Sequence, residues 1–171
     1  KGVVHKGKQY PLDILIYATG FQWMATSTFN MVKGRKGRVL NEKWQEEGTK
    51  TFLWLHSQGF PNLFIVTGPQ GGGGSFNFTD AIEAHCEYTL WMLAKLRENN
   101  NEVFDITRES EEEYAQHCYD MDVASAPLRD CLSYYNSEGE AKPGSLAYYG
   151  GGRWHKIRVA AQESLEPYLF E

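Results

Sequence analysis

Residues 68–78 read GPQGGGGSFNF and place four consecutive glycines between an apolar run and a helical pattern. A loop that leads from a strand into a helix can hold a negatively polarised group, because free N–H groups at the helix N-terminus point at it and glycine lets the backbone come close. The order of glycines matches neither a GxGxxG dinucleotide fingerprint nor a P-loop. A flat, only partly negative ligand therefore suits this loop better than a phosphate. An empty, flexible surface loop is the alternative.

The other residues that could do chemistry form no recognisable set. The five histidines show no metal-binding spacing, and Glu113 with His117 is more simply a helix-face pair. We expect no metal site and find no pattern for a Ser/His/Asp triad. Three cysteines far apart argue against a disulfide framework and favour a reducing, cytoplasmic setting. Cys86 is most simply a small core residue.

Composition excludes two classes of partner. The net charge of −5 leaves no basic footprint for nucleic acid, and the basic run at residues 33–38 reads as a solvated turn. No apolar run approaches the roughly 20 residues that span a bilayer. The aromatic content of 14% predicts a core or pocket built from rings.

The elements around the glycines are predicted from hydrophobic patterning. Residues 13–18 (DILIYA) and 63–67 (LFIVT) are short apolar runs typical of strands buried on both faces, as in a parallel sheet. After the glycines, Asn77 or Thr79 can cap a helix. Its predicted buried stripe recurs at spacings of three and four: Ile82, Cys86, Leu90, Leu93 and Leu96.

A second helix and an irregular tail follow. Thr107 can cap a helix whose opening turns carry Glu109, Glu111, Glu112 and Glu113, which suit the positive end of a helix dipole. Beyond Pro127 the sequence becomes short aromatic segments divided by glycines. We therefore divide the chain into residues 1–126, with an α/β pattern, and an aromatic-rich tail at 127–171.

Several segments carry a family resemblance. Residues 13–21 (DILIYATGF) resemble the ATGF segment of flavin-dependent monooxygenases. Residues 59–64 (GFPNLF), followed by GP at 68–69, resemble the corresponding segment of Baeyer–Villiger monooxygenases. The likeness covers nearly the whole chain and includes Trp44, residues 48–51, Ser133 to Tyr135, Lys142 with Pro143, and residues 148–151.

The resemblance implies the fold and the chemistry. It implies the C-terminal part of a Rossmann-like FAD-binding domain, in a flavoprotein with two dinucleotide-binding domains. Such enzymes use FAD, NADPH and O2 to turn ketones into esters or lactones, and the protein positions and shields the cofactor. A flavin N- or S-oxygenating monooxygenase, which shares ATGF-type segments, is the alternative within enzymes.

The resemblance also implies site residues. Thr19, Gly20, Gly68 and Pro69 match turns near the flavin, and Phe78 matches a position that touches flavin and substrate, with core packing as the alternative. Tyr134 stands where the family usually has a Trp on a mobile loop that closes on NADP; a plain surface-loop aromatic is the alternative. A substrate pocket of small and medium groups, suited to bulky or polycyclic ketones, is expected at Gly73, Gly74, Ser75, Leu146 and Ala147.

Other family motifs are missing from this sequence. The two GxGxxG segments, the fingerprint between them and the catalytic arginine do not occur, so we expect no catalytic residue in this chain. We expect it to work only with the remaining N-terminal part of the enzyme as its partner, together with the ketone and O2. A degenerate, noncatalytic interaction domain is the alternative from another class.

Overall fold

The computed structural model describes residues 1–19, 27–71, 77–120 and 151–171. In chain order its elements are strands β1 (Gly2–His5) and β2 (Lys8–Pro11), helices α1 (Ser27–Met31), α2 (Leu40–Glu47) and α3 (Phe78–Glu98), strand β3 (Phe104–Ile106), helices α4 (Arg108–Asp120) and α5 (Gly151–Ser164), and strand β4 (Tyr168–Phe170). The mixed α/β class expected from the sequence is confirmed at this level.

The strands form two small antiparallel sheets. β1 pairs with β2 as a hairpin, with Val3 opposite Tyr10. β3 pairs with β4, with Phe104 opposite Phe170. Within the described ranges no two strands pair in parallel, so the predicted parallel sheet is absent from this part of the chain.

The first predicted strand, residues 13–18, is wrong for this structure. These residues form no strand, and their side chains are exposed, Ile16 by 82% and Tyr17 by 80%. The apolar pattern indicates a segment suited to burial, but a strand also needs neighbouring backbone with which to pair. No described strand lies beside this one to supply those bonds.

The second predicted strand, residues 63–67, is also wrong. Its backbone amides do not donate to a common neighbouring strand. Ile65 N–H donates a hydrogen bond to Leu55 O over 2.7 Å, and Thr67 N–H donates one to a histidine ring. Thr67 has a positive φ of 52°, which bends the chain out of the extended conformation. Apolar composition predicted a strand buried on both faces, whereas these residues form a turn-rich loop that is only partly buried, with Val66 exposed.

Helices α3 and α4 begin where the sequence predicts. Of the two candidate caps for α3, Asn77 is the one, because its side chain accepts a hydrogen bond from Thr79 N–H. For α4, Thr107 Oγ1 accepts a hydrogen bond from Ser110 N–H over 3.1 Å. Both caps satisfy amides that the first helical turn leaves free.

The buried face of α3 differs from the predicted stripe. Leu96 is buried, but Ile82, Cys86, Leu90 and Leu93 are exposed. The prediction that Cys86 is a core residue is therefore wrong. Apart from Leu96, the face that packs inward consists of residues that apolar periodicity did not select: Ala81, His85, Tyr88 and Met92.

The main core is rich in aromatic side chains, as the composition predicts. It forms where the loop at residues 52–55 meets α3, β3, α4, α5 and β4. Trp54 stacks on Trp154 with centroids 5.4 Å apart, and Phe52 meets Tyr114 edge-on at 5.5 Å. Such geometries add to the energy that burial of the rings provides. A smaller cluster joins Leu40, Trp44 and Phe60.

The basic run at residues 33–38, predicted as a solvated turn, contains a one-turn 3₁₀ helix (Arg35–Gly37), and its arginines are paired. Arg35 contacts Asp105 and Glu171, and Arg38 contacts Glu46 and Glu47. In the part of the chain that the structure describes, no helix has the length and apolarity needed to cross a membrane.

Candidate functional site

The turn at Gly68 and Pro69 is buried against the loop that carries Trp54. Gly68 N–H donates to Trp54 O over 3.0 Å. A Cβ at position 68 would lie 2.3 Å from that same oxygen, so a side chain there cannot fit. Close packing against Trp54 thus explains why position 68 is a glycine in this chain. Its predicted place beside a flavin stays a prediction.

Gln70, in the same turn, carries a polar side chain that is almost fully buried. It is 1% exposed, and its φ of 71° lies in the left-handed region. Its Oε1 accepts from Thr51 N–H over 2.8 Å, and the Thr51 hydroxyl lies 2.9 Å away. Its Nε2 has no hydrogen-bond partner among the described residues. A buried donor without an acceptor is costly, so this amide is a point of unmet hydrogen bonding in the turn.

His85, on the second turn of α3, provides a second donor of this kind. Its Nδ1 accepts a hydrogen from Thr67 N–H over 3.0 Å, so in the neutral ring the proton sits on Nε2. Burial lowers the pKa of His85 to about 4, which keeps the ring neutral at pH 7. Its Nε2 is buried with no partner in the described ranges. The ring lies 5.8 Å from the Trp54 ring and 5.1 Å from the Trp154 ring.

The N-terminus of α3 follows the glycine segment. Asn77 caps it, and Phe78, its first residue, is 52% exposed. The alternative that Phe78 packs in the core of this chain is therefore wrong. Thr19 is also exposed. Both side chains are accessible, but their contacts with a cofactor stay predictions.

The other predicted site residues lie outside the described ranges. Among them are the cofactor candidates Gly20 and Tyr134 and the pocket candidates Gly73, Gly74, Ser75, Leu146 and Ala147. Within residues 68–78, the structure therefore describes the neighbours Gly68 and Pro69 at the start and Phe78 at the end.

Sequence reasoning did not single out Gln70 and His85, whose buried donors lack partners among the described residues. The signal for Gln70 was a polar residue directly after a GP turn that follows an apolar run. For His85 it was the spacing of four from Ala81 and three to Tyr88, which places it on the inward face of α3. The histidine was considered only as a metal ligand, and no described group of three or more His, Cys, Asp or Glu side chains could hold a metal.

A buried polar chain crosses the core below this region. His56 Nδ1 donates to Leu63 O over 2.9 Å, because a carbonyl can only accept. Its Nε2 then accepts from the Tyr88 hydroxyl at 3.2 Å, and that hydroxyl lies 2.8 Å from the Tyr168 hydroxyl. Burial lowers the pKa of His56 to about 4 and raises the pKa of both tyrosines. All three groups are thus neutral and serve as internal hydrogen-bond partners.

A cavity of about 480 Å³ lies elsewhere, between α4, α5 and the turn before β4. Glu113 and His117 both line it, together with Phe52, Ile157 and Ala161. None of the predicted site residues that the structure describes lines it. The prediction that Glu113 and His117 pair on the helix face stays a prediction.

Comparisons with known proteins bear on the identity of the chain. No family model matches it. It is 32% identical over 167 residues to a ketocytochalasin monooxygenase of Aspergillus clavatus, covering 91% of this chain and 26% of that protein. It is 33% identical over 180 residues to a Baeyer–Villiger monooxygenase of Streptomyces coelicolor, covering 99% and 29%. A phenazine N-monooxygenase of Lysobacter antibioticus is 27% identical, with 95% and 30% covered.

Solved structures show the same relationship. Cyclohexanone monooxygenase from Rhodococcus, bound to NADP+, matches with a TM-score of 0.73 and 29% identity over all of this chain and 33% of its own. The monooxygenase OTEMO in complex with FAD and NADP shares the fold, with a TM-score of 0.75 at 24% identity over 96% of this chain and 30% of its own. The chain thus spans about a quarter to a third of the length of these proteins. By sequence and fold, the chain matches a C-terminal portion of Baeyer–Villiger monooxygenases.

Proposed function

We propose that this chain is part of an FAD- and NADPH-dependent monooxygenase that inserts one oxygen atom of O2 next to a ketone carbonyl and yields an ester or lactone. The observation that carries the proposal is continuous similarity to a Baeyer–Villiger monooxygenase over 99% of the chain at 33% identity. The neighbouring structures with FAD and NADP support the choice of cofactors.

The described residues fit a flavin at the glycine segment. A flat ring with carbonyl acceptors suits a bare turn and a helix N-terminus, here Gly68 with Pro69 and the start of α3. Thr19, Gly20 and Phe78 complete the proposed FAD-binding set. When bound and reduced by NADPH, FAD would supply the oxygen-activating chemistry.

The chain's own contribution is to bind and to exclude water. The positive end of the α3 dipole favours a negatively polarised group at its N-terminus, where Asn77 fixes the first turn. Gly68 and Pro69, which are both buried, form the turn that would close the proposed site to water. On the NADP side, Tyr134 is the proposed contact.

The proposed substrate is a bulky or polycyclic ketone. Gly73, Gly74 and Ser75 carry little or no side chain, and Leu146 and Ala147 are of small to medium size. A pocket lined by such residues leaves volume for a large ligand. Within the same proposal, residues 1–126 belong to a Rossmann-like FAD-binding domain, and residues 127–171 form its C-terminal tail, whose helix α5 and strand β4 pack into the same core. The partner is the rest of the enzyme, and a cytoplasmic location stays a prediction.

A second candidate has one observation in its favour. Similarity to a phenazine N-monooxygenase over 95% of the chain is compatible with oxygen transfer to nitrogen instead of insertion beside a carbonyl. Lower identity, 27% against 33%, ranks it behind the first candidate. The noncatalytic alternative predicts a protein that binds no flavin.

The test is to purify the full-length enzyme that contains this chain and offer it a polycyclic ketone and a tertiary amine separately. A visible flavin absorbance band, with an ester from the ketone, supports the proposal. An N-oxide from the amine with the ketone untouched favours the second candidate. A colourless protein that oxidises neither contradicts both.

A further inference from the structure

The cavity of about 480 Å³ between α4 and α5 is built from one face of each helix. Residues separated by three, four and seven positions fall within an arc of about 100° on a helix, so they share a face. On α4 the lining residues follow this spacing: Ser110, Glu113, Tyr114 and His117. On α5, positions 157, 160, 161 and 164 follow the same spacing. The cavity is therefore a gap between two facing helices.

The small side chains of α5 leave this gap open. Ala160, Ala161 and Ser164 line it with one carbon or one hydroxymethyl group each, so the side chains of α5 do not reach across to α4. Close-packed interiors hold few spaces larger than a water molecule. The volume of this one lies within the range of about 300–1,000 Å³ that is typical of small-molecule sites. The gap can thus admit an organic ligand.

The inner wall of the cavity is aromatic and apolar. Phe52 and Tyr114 are both buried, and their rings meet edge-on with centroids 5.5 Å apart. Ile157 and Pro167 extend this wall. An apolar wall binds the hydrocarbon part of a ligand. Aromatic rings also attract a cation that lies over their faces within about 6 Å of the centroid.

The charged groups at the mouth of the cavity are acidic. Glu113 and Glu166 both line it and both are exposed. Among the described residues, no Lys or Arg side chain forms an ion pair with either carboxylate. By contrast, the neighbouring Glu112 pairs with Arg108. The described lining contains no Lys or Arg. The charge of the cavity therefore complements a positively charged ligand.

We propose that this cavity is a binding site for a hydrophobic organic cation. The ammonium group of the ligand donates charge-assisted hydrogen bonds to Glu113 and Glu166. Its apolar or aromatic body packs on Phe52 and Tyr114. The described residues of the predicted flavin and substrate sites do not line this cavity, so the proposal is independent of the proposed function.

The same features disfavour the other ligand classes. A carboxylate or phosphate would meet two like charges, which repel it. A neutral ligand of the same shape would pack on the rings but would gain nothing from the two carboxylates. The difference in affinity between a cation and its neutral counterpart therefore measures what the acidic mouth contributes.

Titration calorimetry on the full-length enzyme tests the site with three probes of similar shape: phenylbutylamine, phenylbutanol and phenylbutanoate. At about pH 8 the amine is protonated and the carboxylic acid is ionised. We expect the amine to bind at least about 5-fold more tightly than the alcohol, and the carboxylate to bind most weakly. Equal affinities for the amine and the alcohol would overturn the proposal. So would the absence of amine binding at about 1 mM, the outcome expected if another part of the enzyme fills the cavity.

Variants establish where the amine binds. Ala160→Phe fills the gap from an exposed position, and the double variant Glu113→Gln, Glu166→Gln removes both charges. Each should weaken amine binding at least about 5-fold. The double variant Glu109→Gln, Glu163→Gln makes the same change of charge at exposed positions outside the lining and should alter binding less than about 2-fold. Equal weakening in the two double variants would overturn the proposal.

Thermal unfolding provides the second measurement. A ligand that binds only the native protein raises the unfolding midpoint, so the amine should stabilise the unmodified enzyme and the control double variant but not Ala160→Phe. The midpoint without amine shows whether each variant is folded. The glutamine variants replace exposed side chains, so they decide the test even where the larger side chain at position 160 prevents folding. Amine binding and stabilisation that persist in both cavity variants would place the site elsewhere and overturn the proposal.

Discussion

Lys43 on α2 and Glu111 on α4 are 68 residues apart in sequence and form a completely buried ion pair. Lys43 Nζ lies 2.8 Å from Glu111 Oε1 and 2.7 Å from Oε2. The same carboxylate accepts hydrogen bonds from the Ser57 hydroxyl and from Gln58 N–H. Burial lowers the pKa of Lys43, and the Glu111 carboxylate opposes that shift. The pair thus ties two helices to the loop that precedes the GFPN turn.

Breaking this pair should destabilise the protein strongly. Lys43→Met leaves a buried carboxylate without its cation, at an expected cost of about 3–5 kcal/mol in the free energy of unfolding. The double variant Lys43→Met, Glu111→Leu removes both charges and should recover much of that loss. Denaturant unfolding of the three proteins checks the prediction. A loss below about 1 kcal/mol in the single variant would mean that the pair is solvated.

Stability should fall as the pH drops from 6.5 to 4. Burial lowers the pKa of both His56 and His85 from 6.5 to about 4, so the unfolded chain binds more protons than the native one in that window. Each ring contributes stability that is fully present above pH 6.5 and is lost progressively down to about pH 4, on the order of 3 kcal/mol.

The matched variant for that pH dependence is His85→Gln. Glutamine can accept the hydrogen bond from Thr67 N–H without titrating. The slope of unfolding free energy against pH should then fall by about half, because one of the two buried rings is gone. An unchanged slope between pH 4 and 6.5 would show that His85 is not buried and neutral in the native protein.

Gly68→Ala should be poorly tolerated. The added Cβ would lie 2.3 Å from Trp54 O, so the GP turn must move, at an expected cost of about 2–3 kcal/mol. Gly37→Ala is the control, since its Cβ meets nothing within 4 Å and only its positive φ opposes it, at about 1 kcal/mol. Thermal unfolding ranks the two. Equal unfolding midpoints for the two variants would contradict the close approach between position 68 and Trp54 O.

Larger side chains in the glycine segment should narrow the substrate range. Gly73→Leu and Gly74→Leu are expected to reduce turnover of polycyclic ketones by about 10-fold or more, while small cyclic ketones react nearly as before, because added volume excludes only the large ligand. Competing ketones measured by product chromatography check this. FAD content serves as the control. Unchanged selectivity with FAD bound would place these glycines outside the pocket.

Local signals in the sequence predicted helices α3 and α4 and their starts, whereas α5 lies in the tail that was expected to be irregular, and that expectation is wrong for residues 151–164. Asn77 and Thr107 lie within hydrogen-bonding reach of the amides they cap, so their role can be inferred from a few residues. The buried side of α3 could not be inferred in the same way. Apolar periodicity identified Ile82, Leu90 and Leu93, which are apolar but exposed, and passed over His85, whose burial depends on Trp54 and Trp154.

Contacts between residues far apart in sequence could not be predicted from the sequence, for a physical reason. Glu111 was interpreted as a charge favourable to the α4 dipole, and only the fold shows that Lys43 neutralises it in the core. Residues 13–18 were predicted to be a buried strand because their composition is apolar. Such composition favours burial of a segment but does not indicate which part of the protein buries it. At the candidate site the glycine turn was found from sequence, but the donors of Gln70 and His85 depend on contacts with Thr51 and Thr67.

The most direct test of the central claim is a single turnover experiment with isotope-labelled oxygen gas. The full-length enzyme is given NADPH, a cyclic ketone and the labelled gas, and mass spectrometry measures the molecular mass of the product. The account predicts a lactone that contains one labelled oxygen atom per molecule and forms in proportion to the NADPH consumed. Unchanged ketone, from an enzyme that binds FAD and consumes NADPH, would contradict it.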